Sequence, residues 1–320
     1  MEMLISQLCL LSVFAGASGP AAMDGDPRLW LQKMAEAVEN TNYEGTFVHR
    51  LAGDTLETMR IIHRVDANGR ISERLISLDG SGREIIRNDD EVRCILEKEK
   101  SVVVEKTEAS PLLSSLPSYH AELDALYRFK TVGRERVVDR DARIIEVRPR
   151  DEYRYGHRLW LDEQTAMPLR SALIDNSGAI VEEVLFTSIT LRDDISDAEL
   201  APRLSADGYK LYGNKPASPR PDASQEWKAQ ALPRGFRLTV ARTHDSEQEK
   251  VEHYVYTDGL ASVSVFVEQA AADAKPVTGL STIGSANAYE TTIDGYQVTA
   301  VGEVPPSTVE MIGASLKRTR

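Results

Sequence analysis

Six histidines, at positions 49, 63, 120, 157, 244 and 253, are the residues here best suited to metal or proton chemistry. No two of them stand at metal-ligand spacing. His63 alternates with Ile61 and Val65, the pattern of an apolar strand face, and is expected to be a hydrogen-bonded core histidine rather than a ligand. Carboxylates are plentiful but fall in turns and at strand ends. An acid pair of glycosidase type assembles in space, and no spacing points to one. There is no Gly-x-Ser-x-Gly elbow, no Walker loop, no dinucleotide fingerprint and no His-Glu-x-x-His. Cys94, between Val92 and Leu96 on one strand face, is expected as a small buried thiol. Cys9 lies in the N-terminal apolar stretch, so the rest of the chain can form neither an internal disulfide nor a cysteine-rich zinc site. The sequence therefore implies a binding protein without a cofactor, not an enzyme.

Charge narrows what could be bound. The net charge is −12 and the acidity is concentrated in residues 24–205, which argues against nucleic acid, whose phosphates need a basic footprint. Eight arginines between Arg134 and Arg158 are read as solvated strand faces, with an anion-contacting patch left open. Residues 1–23 read as a targeting segment: an apolar run from Leu8 to Phe14 leads to Ala15-Gly16-Ala17, although Glu2 stands where a basic residue is usual. A buried N-terminal helix is the alternative there. No apolar run approaches the ~20 residues a membrane-spanning helix needs.

The elements that must position any site are mostly strands. Asp26-Pro27 opens a helix whose Trp30, Met34, Ala37 and Val38 form one stripe. From Gly45 to about Phe186 short apolar runs alternate with turns such as Asp66-Ala67-Asn68-Gly69 and Asp175-Asn176-Ser177-Gly178. Short connections of this kind join antiparallel neighbours, so a meander curling into a barrel or half-barrel is expected. A short helix capped by Ser118 and holding Tyr119 and Leu123 interrupts it. The run Val184–Ile189 is apolar on both faces, and with few helices to cover both, a cavity on one side is expected. Residues 206–225, with Pro216, Pro219 and Pro221, read as a stiff linker. A small α+β domain follows in 226–320, with Asp294-Gly295 as a hairpin turn and Ser307-x-x-Glu310 as a capping box for a last helix along Val309, Ile312 and Leu316.

Blocks of this sequence resemble the RseB/MucB family, in family order: Gly45-Thr46-Phe47-Val48-His49-Arg50, Ile62-His63-Arg64-Val65, Pro149-Arg150-Asp151, Arg154-Tyr155-Gly156 and Met167-Pro168-Leu169. The second half continues with Leu232-Pro233-Arg234-Gly235-Phe236, Asp258-Gly259-Leu260 and Val301-Gly302-Glu303-Val304-Pro305. The stretch around Met167 to Gly178 is also similar to the lipoprotein-carrier group (LolA/LolB-like). The resemblance implies an α+β, mainly β protein: an unclosed antiparallel half-barrel with covering helices, joined to a small α+β domain. It implies a periplasmic protein that binds the periplasmic domain of an RseA/MucA-like anti-sigma factor and shields it from proteolysis. Lipopolysaccharide or lipoprotein acyl chains would release it. The alternative is a periplasmic lipoprotein or lipid carrier, which would have no use for the second domain. Candidates to line the apolar cavity are Phe47, Ile61, Leu75, Phe129, Trp160, Leu173 and Phe186. Candidates for the partner are Tyr254, Tyr256, Val265 and Phe266, at an edge of the second sheet. Assembly into a homo-oligomer is left open.

Overall fold

The computed structural model describes residues 25–51, 55–88, 91–106, 116–213, 226–245, 250–270 and 278–319. The expected targeting segment and the prolines of the expected linker lie outside them. Helix α1 (Pro27–Asn40) starts where a cap followed by proline requires: the Asp26 side chain accepts the Arg28 N–H at 2.9 Å. Its Trp30, Leu31, Met34 and Val38 are buried.

The first domain's strands are β1 (Tyr43–Arg50), β2 (Leu56–Val65), β3 (Ile71–Ser77), β4 (Arg83–Asn88), β5 (Glu91–Leu96), β6 (Ser101–Lys106), β7 (Tyr127–Val137), β8 (Arg140–Pro149), β9 (Gly156–Asp162), β10 (Pro168–Ile174) and β11 (Ile180–Leu191). A short α2 (Asp197–Leu200) precedes β12 (Lys210–Gly213). Among the described residues they form one open sheet in the order β12-β6-β5-β4-β3-β2-β1-β11-β10-β9-β8-β7. Strand β1 sits mid-sheet because its two neighbours, β2 and β11, each begin a meander running outward. Only β12 pairs in parallel, on β6, so part of the stretch expected as linker belongs to the first domain's sheet. The sheet wraps α1, whose apolar stripe joins Tyr43, Ile61, Leu159, Leu161 and Leu169 in one core.

Two local expectations need correction. The helix in the interruption is a 3₁₀ turn over Ala121–Ala125, entered through His120 with no side-chain cap, and Ser118 stands outside it. Cys94 is half-buried, not buried; β5 lies near the sheet's edge, beyond the cover that α1 gives the centre. His63 does behave as a core histidine. It is fully buried, stacked on Tyr43 at 4.9 Å, with Nδ1 2.7 Å from Glu73.

The second domain contains β13 (Trp227–Ala229), β14 (Arg237–Asp245), β15 (Lys250–Thr257), β16 (Ser262–Gln269), β17 (Gly279–Ile283), β18 (Ala286–Ile293), β19 (Tyr296–Gly302), α3 (Pro306–Ala314) and β20 (Leu316–Arg318). Among the described residues its main sheet runs β14-β15-β16-β19-β18-β17, and β13 pairs with β20. Helix α3 covers one face through Val309 and Ile312. The capping box at Ser307 does not form. The helix starts at Pro306, which places Ser307 inside the first turn with Pro305 as its cap, so the serine is too late to serve. Leu316 has left the helix and packs from β20.

Candidate functional site

The concave side of the first sheet is not filled along its whole length. Where α1 ends its cover, a cavity of about 380 Å³ remains. Strand alternation puts Phe47, Met59, Leu75, Ile85 and Leu173 on its wall, because these positions lie in register across neighbouring strands: Phe47 faces Met59, and Leu75 faces Ile85. Leu116 closes part of it. At the mouth the wall becomes polar, with His49, Glu57, Arg83, His157 and Glu182 from the first domain and Glu303 from the second.

The seven cavity candidates are divided. Phe47, Leu75 and Leu173 line the cavity. Ile61 and Phe186 are buried in the adjoining core, Phe186 edge-on to Phe47 at 5.6 Å. Phe129 packs beneath Tyr119 and the Arg28 guanidinium. Trp160 lies on the opposite sheet face, since the alternation of β9 sets it against Leu159 and Leu161; Arg170 stacks on its ring at 4.1 Å. Of the partner candidates, Tyr254, Tyr256 and Val265 are buried in the second core. Phe266 is on the other face, stacked on His253 at 4.4 Å. Their strands are internal; the sheet's edges are β14 and β17.

The polar mouth has defined geometry. His49 Nε2 is 2.5 Å from Glu182 Oε1, and Ser285 Oγ donates to Glu303 Oε1 at 2.7 Å. Burial pushes the Glu182 carboxyl up, but its hydrogen bond and charge interaction with His49 lead the effects that outweigh it and hold the group below its ordinary value. Glu303 goes the other way: burial and the Glu182 carboxylate raise it. Burial in the cavity wall lowers the His157 imidazole to about 4, so it is neutral near pH 7.

Beside the mouth the two domains are joined by a buried polar junction that no single motif suggested. Asp258 and Arg154 are both fully buried, with Arg154 Nε 2.5 Å from Asp258 Oδ2. Tyr127 Oη donates to the same carboxylate oxygen at 2.8 Å, and the Leu260 and Ala261 N–H groups donate to its other oxygen at 2.9 and 2.8 Å. Arg154 also donates to Asp151 and to the Arg234 carbonyl, and its guanidinium stacks against Tyr127 and Phe236. Further bonds cross the junction from Asn287 to Tyr155 Oη at 3.1 Å and from Thr308 Oγ1 to the Tyr153 carbonyl at 2.8 Å. Two glycines permit the close approach. Gly259, at φ +105°, would put a Cβ 2.5 Å from His120, and Gly235, at φ +88°, would put one 2.6 Å from Leu126. Sequence reasoning held part of the signal without using it: Arg154, Tyr155, Arg234, Gly235, Phe236, Asp258, Gly259 and Leu260 fall in the blocks Arg154-Tyr155-Gly156, Leu232–Phe236 and Asp258-Gly259-Leu260.

Among the described residues no group of three or more His, Cys, Asp or Glu side chains could hold a metal ion, and no helix is long and apolar enough to cross a membrane. Fold and site thus define a two-domain binding protein whose apolar cavity is walled by both domains. Residues 26–204 match the family described as the MucB/RseB N-terminal domain, and residues 221–317 match the MucB/RseB C-terminal domain. The chain belongs to the MucB/RseB family. It is 33% identical over 304 residues to the sigma factor AlgU regulatory protein MucB of Pseudomonas aeruginosa, covering 93% of each chain. It is 30% identical over 335 residues to the sigma-E factor regulatory protein RseB of Salmonella typhimurium, covering 99% of this chain and 98% of that one. The crystal structure of MucB in complex with MucA(peri) superposes with a TM-score of 0.72 at 30% identity, covering 92% of this chain and all of that one. A crystal structure of MucB gives a TM-score of 0.62 at 29% identity, covering 91% and 97%.

Proposed function

We propose that this protein is a periplasmic regulator that binds the periplasmic region of a membrane-spanning anti-sigma factor of the MucA/RseA kind. Bound, it shields that region from regulated proteolysis; a lipid-type signal releases it. The observation that carries this reading is the likeness, across both domains in one arrangement, to MucB in complex with MucA(peri). A carrier working through the first domain alone would leave the second, and the buried junction that ties it on, without a role.

Phe47, Leu75 and Leu173 receive an acyl chain of lipopolysaccharide or of a lipoprotein. The anti-sigma segment uses the second domain, along the face carrying Phe266 and the sheet edges, with Tyr254, Tyr256 and Val265 supporting that face from beneath. The test is a titration of the purified chain with the anti-sigma periplasmic peptide, followed by digestion of the peptide with its first-site protease. Saturable binding, slower cleavage and reversal by a fluorescent acyl probe are expected. Uptake of the probe without peptide binding would replace this reading with a carrier.

A further inference from the structure

We propose that Glu182 and Glu303 form a proton-operated latch between the two domains at the cavity mouth. Glu182 projects from β11 of the first domain, and Glu303 follows β19 of the second. Their carboxyl groups lie within hydrogen-bonding reach of each other, and both line the cavity. A carboxylate only accepts, so two ionised carboxylates in contact repel and a single proton between them converts repulsion into a hydrogen bond.

The surroundings decide where that proton sits. His49 from β1 lies 2.5 Å from Glu182, an interaction wholly inside the first domain that favours the ionised form of Glu182. Ser285, in the turn between β17 and β18, donates to Glu303 at 2.7 Å and is compatible with either form of that carboxyl. The remaining charged neighbours supply no competing cation. Glu183 is already paired with Arg50 and Arg170, and Arg83 with Glu57. His157 from β9 faces the cavity as the neutral imidazole, and Asp258 is engaged by Arg154. Glu303 therefore carries the proton, donating to Glu182 across the junction, and docking is linked to its uptake.

The sign follows directly. The docked state holds a proton that the separated carboxyl releases at its ordinary value, so docking is fully supported below the ordinary carboxylate range. That support is lost as pH rises through the raised value of docked Glu303. Raising the pH thus weakens docking at the mouth, independently of any ligand or partner.

The experiment uses the full chain with spin labels on cysteines placed at the exposed positions Arg136 and Lys228, in a Cys94→Ala background, and reads the interdomain distance between pH 4.5 and 8.5. The wild-type pair should show one narrow distance at low pH that broadens and lengthens as pH rises, with a midpoint above the ordinary carboxylate range. Glu303→Gln, which donates like the protonated acid, should keep the narrow distance throughout. Glu182→Gln, which removes the repulsion from the other side, should do the same. A pH-independent distance in the wild-type pair overturns the latch, as does the same pH response in either glutamine variant that folds.

Discussion

Replacing Arg154 with alanine removes the cation at the centre of the domain junction and leaves its partner behind. Asp258 is fully buried, so it cannot recover water in exchange. Deleting one member of a buried ion pair costs about 3–5 kcal/mol, chiefly through the charge left uncompensated. Here Asp258 keeps three donors, the Tyr127 hydroxyl and the N–H groups of Leu260 and Ala261, which places the loss near the lower end, about 3 kcal/mol. The Arg234 carbonyl and the stacking on Tyr127 and Phe236 are lost as well. Because the pair joins the domains, the loss should fall on their coupling. The three tryptophans make this readable: Trp30 and Trp160 report on the first domain and Trp227 on the second. Urea unfolding of Trp227→Phe beside the parent chain separates the signals. In the Arg154→Ala background the two domain transitions should part. Combining Arg154→Ala with Asp258→Ala should cost clearly less than the sum of the single changes. A loss below about 1 kcal/mol with superimposed transitions, or additive single changes, would refute the reasoning.

Four further outcomes are expected. Ser171→Trp, filling the cavity from the face of β10 that carries Leu173, should weaken acyl-probe binding at least about tenfold, while peptide binding is kept. Gly45→Ala should destabilise by about 1–3 kcal/mol in thermal or urea melts, because its Cβ would lie 2.7 Å from the Phe186 ring and 2.8 Å from the Ser188 carbonyl. Burial opposes ionisation of Glu73, yet His63 and Arg87 hold it below its ordinary value; the stability it contributes is present above the ordinary carboxylate range and lost as pH falls through the lowered value, so Glu73→Gln should flatten the acid limb of stability against pH. His157 behaves in the same direction for the opposite chemistry: with its imidazole lowered to about 4, its support is complete above about 6.5 and declines toward pH 4, a slope that His157→Phe should remove.

The strands were legible because alternation and turn chemistry agree locally. Asp66 accepts the N–H groups of Asn68 and Arg70, as the turn Asp66–Gly69 requires, and the strands on either side pair in register. What failed was local geometry that tertiary structure overrides. Ser307 has the right partner three residues on, yet Pro306 starts the helix early enough to disqualify it. Strand β12 was illegible because four exposed residues carry no periodicity; they exist as a strand only through pairing with β6. At the site, size and apolarity identified Phe47, Leu75 and Leu173, but the same criterion selected Trp160, which only the register of β9 assigns to the other face. The junction was hidden for a different reason. Arg154 and Asp258 are more than a hundred residues apart in sequence, and a lone charged residue in a turn looks solvated until its partner arrives from another domain.

The cavity and the junction share a wall, and that makes coupling between ligand and domain arrangement arithmetically reasonable. Glu303 belongs to the second domain but lines the space in which a chain would lie, so cavity occupancy and docking compete for the same few ångströms. Reversing a two-state equilibrium from 1:99 to 99:1 needs about 5.5 kcal/mol of differential affinity. At about 0.8 kcal/mol per methylene, roughly seven methylenes buried in one arrangement and exposed in the other suffice. A long acyl chain exceeds that requirement. A ligand short enough to fit entirely behind Leu173 without reaching Glu303 would bind both arrangements alike and shift nothing, however tight its binding. Chain length, more than affinity, is therefore the property of a lipid that should decide whether it acts as a signal. A series of acyl probes of increasing length should show binding first and domain rearrangement only beyond a threshold. Rearrangement that tracks occupancy equally at every length would show that the shared wall is not the coupling element.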